Sequence, residues 1–295
     1  MRSRTRQRTP APSFALALGG GGARGLALVG VMQVLAREQL HPTAIAGTSM
    51  GAIVGALCAA GVAADDLAAT LELLDLKALA GLARINLRPG SVLSADPVEA
   101  RLREVLPATF DDLTLPFAAV ATDLVTGERV VLKSGDLPLA VRASMSIPVV
   151  FEPVRIGHML LVDGGIVDPV PVAAARELGG DPVLAIDVGP LGPTGSVPLG
   201  GGSKPRLSVD APSTVQIGTR SWDVAEHWLA RSALRTAAAV IAPEVGRYSM
   251  ADFLDGEAIL AEGVRAAEAS VGAVRDALDE AARSPVSRWW HRVRG

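Results

Sequence analysis

The chain has little cysteine, few aromatic residues and little charge. Its single cysteine, Cys58, excludes an internal disulfide, which fits a reducing compartment and rules out a disulfide-stapled scaffold. Aromatic residues make up 3% and charged residues 20% of the 295 positions, yet 49% are hydrophobic, so a sizeable core can form. The lack of a three-residue glycine period and of a long heptad run excludes collagen-like and coiled-coil chains. A net charge of -3 argues against a general nucleic-acid binder.

Positive charge is concentrated at the two ends. Residues 1–13 and 283–295 carry four arginines each and no acidic residue, which leaves 20 basic against 31 acidic residues, about -11, for the body. Such ends either solubilise a protein or attract anionic surfaces, including phospholipid headgroups. Trp289 and Trp290 are typical of interfacial anchors. We expect a disordered basic tail over 1–13 and a basic, tryptophan-containing tail over 283–295.

Between the tails we expect one domain over 14–282, interrupted by a mobile loop at about 189–213, where glycine, proline and serine dominate. Residues 43–64 carry no charge over 22 positions, a length that spans a bilayer, but they contain four glycines and few large apolar residues. A buried strand–turn–helix explains this segment better than a transmembrane span. The basic start of the chain resembles a signal peptide, but the glycines at 19–22 and Arg24 interrupt its apolar stretch.

Short apolar runs that alternate with amphipathic stretches predict the fold class. Strands are predicted at 14–18, 43–46, 116–121, 129–132, 160–162 and 183–187, and helices at 26–37, 50–60, 96–106 and along 260–278. Strand, loop, helix, strand and helix in this order predict a parallel sheet with helices on its faces. The sequence therefore predicts an α/β fold.

A GxSxG motif follows the second predicted strand and precedes the second predicted helix. Its residues are Gly47, Thr48, Ser49, Met50 and Gly51. A sharp turn of this kind holds the serine in a strained conformation that exposes its hydroxyl, and side chains on either side would collide with the strand and the helix. The N-terminal dipole of the helix favours developing negative charge at the same point. The motif predicts a nucleophilic Ser49; the alternative is a glycine-rich helix entry with an incidental serine.

A second glycine-rich loop joins the first predicted strand to the first predicted helix. Gly20, Gly22 and Gly25 match the GxGxxG pattern of dinucleotide sites, but the acidic residue expected about 20 positions later is missing. Free backbone amides at a helix N-terminus also bind an oxyanion. Because a nucleophile elbow follows on the next strand, we interpret the loop as an oxyanion hole of Gly20, Gly21 and Gly22, reinforced by Arg24.

The base for this serine is not indicated by any histidine motif. The four histidines are interpreted as structural or exposed: His41, His158, His227 and His291. Asp163 ends an apolar predicted strand and is followed by Gly164 and Gly165, which leave its carboxylate unobstructed. A desolvated carboxylate within hydrogen-bond reach of a serine accepts its proton, so Asp163 is the candidate base, with a simple β-turn as the alternative. The sequence contains no metal-ligand spacing.

Three motifs in this order resemble the patatin-like phospholipases, particularly the bacterial members similar to the catalytic domain of neuropathy target esterase. They are the GGGxRG-type loop at 20–25, GTSMG at 47–51 and DGG at 163–165. The resemblance runs from about Phe14 to Asp187, and more loosely to about residue 270, and it includes Ser-Ile-Pro at 146–148. The run Asp-Pro-Val-Pro also resembles the family, although this chain carries Asp168 where the family often has Asn.

The resemblance implies a serine acyl hydrolase with a Ser–Asp dyad and neither metal nor cofactor. Ser49 would attack an ester carbonyl, Asp163 would accept its proton and later activate water, and backbone amides near Gly21 and Gly22, supported by Arg24, would hold the oxyanion. The implied fold is a three-layer α/β/α sandwich with a mainly parallel central sheet. The implied substrates are phospholipids, lysophospholipids or other fatty-acyl esters, with no nucleic-acid partner. The expected location is the cytoplasm, with peripheral membrane contact left open.

Two other functions stay open at the level of sequence. One is an acyltransferase that uses the same dyad with an alcohol or thiol in place of water. The other is a non-catalytic nucleotide- or lipid-binding protein. The leucine-rich segment at 65–88 is expected either to cap the site and receive an acyl chain or to pack as an ordinary helix.

Overall fold

A computed structural model describes residues 13–75, 96–148, 150–190 and 214–283 of the protein. The predicted tails, most of the predicted mobile loop and most of the leucine-rich segment lie outside these ranges. The expectations for these segments therefore stay predictions.

Eight strands form one sheet in the described part of the chain. They are β1 (Ala15–Leu18), β2 (Ala44–Thr48), β3 (Phe117–Asp123), β4 (Arg129–Leu132), β5 (Val154–Ile156), β6 (Met159–Asp163), β7 (Val183–Ile186) and β8 (Ala239–Ile241). The six predicted strands are confirmed, with ends shifted by one or two residues. The sequence analysis does not identify β5 and β8, because three residues are too few to establish a period.

The sheet is mixed, with a parallel majority. Its strand order is β5-β6-β3-β2-β1-β7-β8, and β4 pairs with β3 off this path. The strands from β3 through β2, β1 and β7 to β8 run parallel, whereas β4, β5 and β6 run antiparallel to their neighbours. Parallel neighbours bring their carboxyl ends to one edge, which is where an open α/β sheet builds its sites.

Helices cover both faces of this sheet. They are α1 (Ala27–Arg37), α2 (Met50–Ala59), α3 (Leu67–Leu73), α4 (Asp96–Val105), α5 (Leu137–Ser144), α6 (Val172–Gly179), α7 (Thr214–Leu234) and α8 (Gly256–Arg283). Side chains alternate along the strands: Leu16 and Leu18 pack in one core cluster with α1, α2 and α8, and Ala15 and Ala17 pack in another with α6 and α7. The three-layer α/β/α sandwich is therefore confirmed.

The uncharged segment at 43–64 folds as the predicted strand–turn–helix. Its residues form β2 and α2, which are buried almost throughout. Within the described ranges, no helix combines the length and the apolarity needed to cross a bilayer. The transmembrane alternative for this segment is wrong, because its small residues serve the close packing of a helix on a sheet.

Helices α1 and α8 touch through glycines. A Cβ atom on Gly263 of α8 would lie 1.9 Å from the carbonyl oxygen of Ala27, and one on Gly30 of α1 would lie 2.3 Å from the carbonyl oxygen of Leu260. The two backbones therefore approach more closely than any side chain would allow. Gly272, further along α8, meets nothing within 4 Å and has no such role.

We predict that Gly263→Ala lowers the free energy of unfolding by about 2 kcal/mol, because the new methyl group forces α1 and α8 apart. Gly272→Ala is the matched control and should raise that free energy by about 0.5 kcal/mol, since alanine favours the helix. Urea denaturation followed by circular dichroism measures both. Equal effects of the two substitutions would contradict the proposed close approach.

Candidate active site

Ser49 occupies the turn between β2 and α2 in a backbone conformation that is rare for any residue but glycine. Its φ is 57° and its ψ is -123°. The flanking glycines permit this turn: a Cβ on Gly47 would lie 2.2 Å from the carbonyl oxygen of Gly51, and one on Gly51 would lie 2.2 Å from that of Leu18. The elbow predicted from the GxSxG motif is therefore present, and larger side chains are excluded on both sides of it.

Ser144, the last residue of α5, holds the elbow from the side. Its hydroxyl accepts a hydrogen bond from the Ser49 N–H at 3.0 Å and donates one to the Val120 carbonyl at 2.6 Å. All three residues are buried. The elbow is thereby tied to β3, which also positions the candidate base.

The pairing of β3 explains why two motifs that are distant in sequence meet. β2 pairs with the first half of β3, where Thr48 lies opposite Val120. β6 pairs with the second half, where Asp163 lies opposite Ala121. Because β4 occupies the other edge of β3 along both halves, β2 and β6 share one edge and their ends meet there. Ser49, which follows Thr48, is thus placed beside Asp163.

Asp163 is a buried carboxylate with two hydrogen-bond donors. Its carboxylate accepts a bond from the Gly165 N–H at 2.8 Å, and the Ser49 hydroxyl lies within hydrogen-bonding reach and lowers its pKa. Burial raises its pKa to about 6, although both hydrogen bonds act in the opposite direction. Gly164 makes room for this turn, since a Cβ there would lie 2.3 Å from the Val120 carbonyl oxygen. The structure brings the two predicted dyad residues into direct contact without an intervening imidazole.

The glycine-rich loop lies against the elbow, and its amides divide into two groups. The N–H of Gly20 donates to the Pro169 carbonyl at 3.0 Å. Gly20 is therefore not a free oxyanion donor as the sequence suggested; it is needed because a Cβ there would come within 3.1 Å of the Ser49 Cβ. The amides of Gly21 and Gly22 donate to no acceptor in the described part of the chain. They are the loop donors that we retain for an oxyanion.

Neighbouring residues fill the space that side chains on this loop would need. A Cβ on Gly22 would lie 2.5 Å from the carbonyl oxygen of Met250, which also accepts a hydrogen bond from the Ala23 N–H at 2.9 Å. A Cβ on Gly25 would lie 2.3 Å from Cγ of Met50. The loop is thus packed between the elbow and the segment that precedes α8.

Arg24 does not point along the glycine loop but reaches α7. Its side chain is completely buried and pairs with Asp223 at 3.1 Å and with Glu226 at 3.6 Å. A buried guanidinium needs such counter-charges, which the sequence analysis did not assign to it. The prediction that Arg24 reinforces the loop changes accordingly: Arg24 ties the loop to a covering helix.

Further titratable side chains lie around the contact between Arg24 and α7. Burial raises the pKa of Glu226 to about 8; Arg24 lowers it, and Asp163 and Asp223 raise it. Burial also raises the pKa of Asp187, which lines a small cavity with Gly20, Glu226 and His227. The sequence analysis interpreted His227 as structural or exposed, and its burial agrees with the structural alternative. It missed the acidic pair of α7, whose three-residue spacing on one helix face was the available signal.

The remaining candidates take structural positions. Asp168 stands where the family often has Asn; its carboxylate pairs with Arg129 at 3.1 Å and its carbonyl accepts the Thr48 hydroxyl at 2.8 Å. The turn that it forms is therefore tied directly to the strand before the elbow. Asp123 caps the turn after β3 by accepting the amides of Val125 and Leu160. Among the described residues, no group of three or more His, Cys, Asp or Glu side chains is placed to hold a metal ion.

The chain is similar to several known proteins. A family model described as Patatin-like phospholipase matches residues 16–176. An uncharacterized NTE family protein of Mycobacterium tuberculosis is 38% identical over 178 residues, 60% of this chain and 49% of that protein. Patatin-like phospholipase domain-containing protein 7 of Rattus norvegicus is 35% identical over 193 residues, 60% of this chain and 14% of that protein. The solved structure of VipD from Legionella pneumophila matches 92% of this chain and 67% of its own, with 14% identity and a TM-score of 0.46.

We predict that Arg24→Met lowers the free energy of unfolding by about 3 kcal/mol or more, because Asp223 and Glu226 lose their buried counter-charge. The control is Arg37→Met, which removes an exposed pair with Glu268 and should change that free energy by less than about 1 kcal/mol. Thermal and urea denaturation measure both variants. Similar small losses would show that α7 does not depend on Arg24.

Proposed function

The chain belongs to the patatin-like phospholipase family, and we propose that it is a serine hydrolase that cleaves fatty-acyl esters of lipids. It spans about half the length of the mycobacterial relatives that it matches, so the proposal concerns the chemistry of this domain. The observation that carries the proposal is the placement of the strained Ser49 beside the buried Asp163 carboxylate, at the point where β2 and β6 meet on β3. A strained, glycine-flanked serine beside a desolvated acid is an arrangement suited to covalent catalysis.

In the proposed reaction the Ser49 Oγ attacks the ester carbonyl carbon while its proton passes to Asp163. The oxyanion is held by the amides of Gly21 and Gly22 and by the N-terminus of α2, whose dipole favours negative charge. Collapse of this intermediate breaks the ester bond, and the alcohol leaves with a proton from Asp163. Asp163 then takes a proton from water as the water oxygen attacks the acyl carbonyl carbon. The bond to the Ser49 Oγ breaks, the fatty acid leaves, and Asp163 returns the proton to Oγ.

A nucleotide site at the glycine-rich loop has less support. Val188 and Met250 pack against Gly21 and Gly22, and Ser49 packs against Gly20, so the side of the loop next to these residues is filled by protein atoms.

An acyltransferase would use the same dyad and differs only in the acceptor, so analysis of the products with added alcohols or thiols distinguishes it from a hydrolase.

We predict that Ser49→Ala and Asp163→Asn each reduce hydrolysis of a short-chain p-nitrophenyl ester at least about a thousandfold, because either change removes the attacking couple. Ser270→Ala and Asp111→Asn are the matched controls, since Ser270 bonds within α8 and Asp111 is exposed in the segment before β3. Initial rates on folded protein, checked by circular dichroism, measure the effect. Near-normal activity in either dyad variant would refute the mechanism.

We predict that kcat/KM falls about tenfold per pH unit below about 6 and levels off above it, because Asp163 must be ionised to act as a base. Glu226→Gln should leave this limb in place, since the pKa of Glu226 lies at about 8. If Glu226→Gln moves the acid limb, the limb reports Glu226 and not Asp163, and the prediction is contradicted.

The raised pKa of Asp163 also makes the stability of the fold depend on pH, but stability decreases with rising pH whereas activity increases. Between about pH 4 and the folded pKa of about 6, folded Asp163 keeps a proton that the unfolded chain has lost. The free energy of unfolding therefore falls as the pH rises through this window. Asp163→Asn should remove this part of the slope, which urea denaturation across the window measures.

A further inference from the structure

The outward side of α7 carries a stripe of exposed apolar and basic side chains. Ile217, Val224 and Trp228 are exposed at 50%, 39% and 62%. Arg231 and Arg235 are exposed and continue the stripe at steps of three and four residues. The Arg231 guanidinium lies over the Trp228 ring, 5.0 Å from its centre. We call these five residues the outer stripe.

The opposite side of the same helix is acidic and buried. The two acidic residues of α7, Asp223 and Glu226, both pair with Arg24. About 180° of helical rotation separates Glu226 from Ile217, since nine residues at about 100° each make two and a half turns. The outer stripe therefore contains no acidic residue, although the body of the chain is strongly acidic outside its ends.

We propose that the outer stripe docks on the surface of an anionic phospholipid membrane. Tryptophan lies preferentially at the level of the lipid headgroups, and arginine pairs with their phosphates. Arg231, stacked on Trp228, offers both interactions at one point, and Arg235 extends the positive charge beyond the end of the helix. Ile217 and Val224 supply the apolar side chains that enter the acyl boundary.

Charge favours a lipid surface over a second copy of the chain as the occupant. Two acidic bodies repel each other at long range, whereas an anionic bilayer offers phosphates for the two arginines and an interfacial level for Trp228 at one surface. The stripe also has a place in the proposed function. Ser49 is only 4% exposed, and the inner side of α7 is held at Arg24, beside the loop that lies against Ser49. Docking through α7 would set the covered dyad next to a lipid substrate.

The test uses full-length protein with Ser49→Ala, so that lipid is not consumed, and measures co-sedimentation with vesicles. One set contains phosphatidylcholine alone, and the other contains equal parts of phosphatidylcholine and phosphatidylglycerol. We expect binding to the anionic set, reduced about tenfold by Arg231→Glu and about fivefold or more by Trp228→Ala. Arg101→Glu and Val125→Ser change an exposed arginine and an exposed apolar residue elsewhere and should bind like the parent.

Each outcome decides between explanations. If Arg231→Glu and Trp228→Ala remain folded and bind as well as the parent, the stripe is not the docking surface and the basic ends are the alternative. If Trp228→Ala instead disrupts a dimer seen by size-exclusion chromatography, and vesicles do not bind, the stripe is a protein interface and the proposal fails. Failure of the proposed function is separate: it appears as lack of ester hydrolysis by the wild type, whether or not vesicles bind.

Discussion

The shared edge of β3 is the constraint on which the site depends. One strand arrives there in parallel and the other antiparallel, and their ends meet at Val120 and Ala121. This meeting puts a hydroxyl beside a carboxylate where two strands end, so the contact is set by backbone pairing and by the tight turn after β2. Ser144 then uses the Val120 carbonyl at the same junction to hold the elbow. The proposed chemistry therefore depends on β3, which pairs with β2 along its first half and with β6 along its second half.

Several carboxyl groups are buried near this junction, and the fully buried Arg24 lies close to them. The desolvated carboxylates differ in their surroundings: Asp163 is bonded to a hydroxyl and an amide, whereas Glu226 faces Arg24 and other acids. Their pKa values separate accordingly, to about 6 and about 8. Asp163 is therefore suited to accept a proton at neutral pH, whereas Glu226 gives up its proton less readily. Burial alone does not decide the role of an acid; its partners do.

The sequence predicted features that depend on neighbouring residues, such as strands, helices and tight turns. Gly47, Ser49 and Gly51 form one turn, and the sterics of that turn can be deduced from five letters. Apart from Ser49 and Asp163, which the family resemblance paired, the sequence did not supply partners that are distant along the chain. Arg24 meets Asp223 across 199 positions, and no short pattern encodes that pair. Gly20 illustrates the same limit, because its amide is bonded to Pro169 through the tertiary fold and not through its own loop.

Met250 lies well beyond the segment that the family model matches, yet its carbonyl group closes over Gly22 and bonds to the next amide. The glycine loop near the beginning of the described chain is thus completed by a residue close to its end. A recombinant fragment cut at the border of the matched segment would keep every motif and lose part of the wall that shapes them. For grafting or shortening this domain, the natural unit extends through α8.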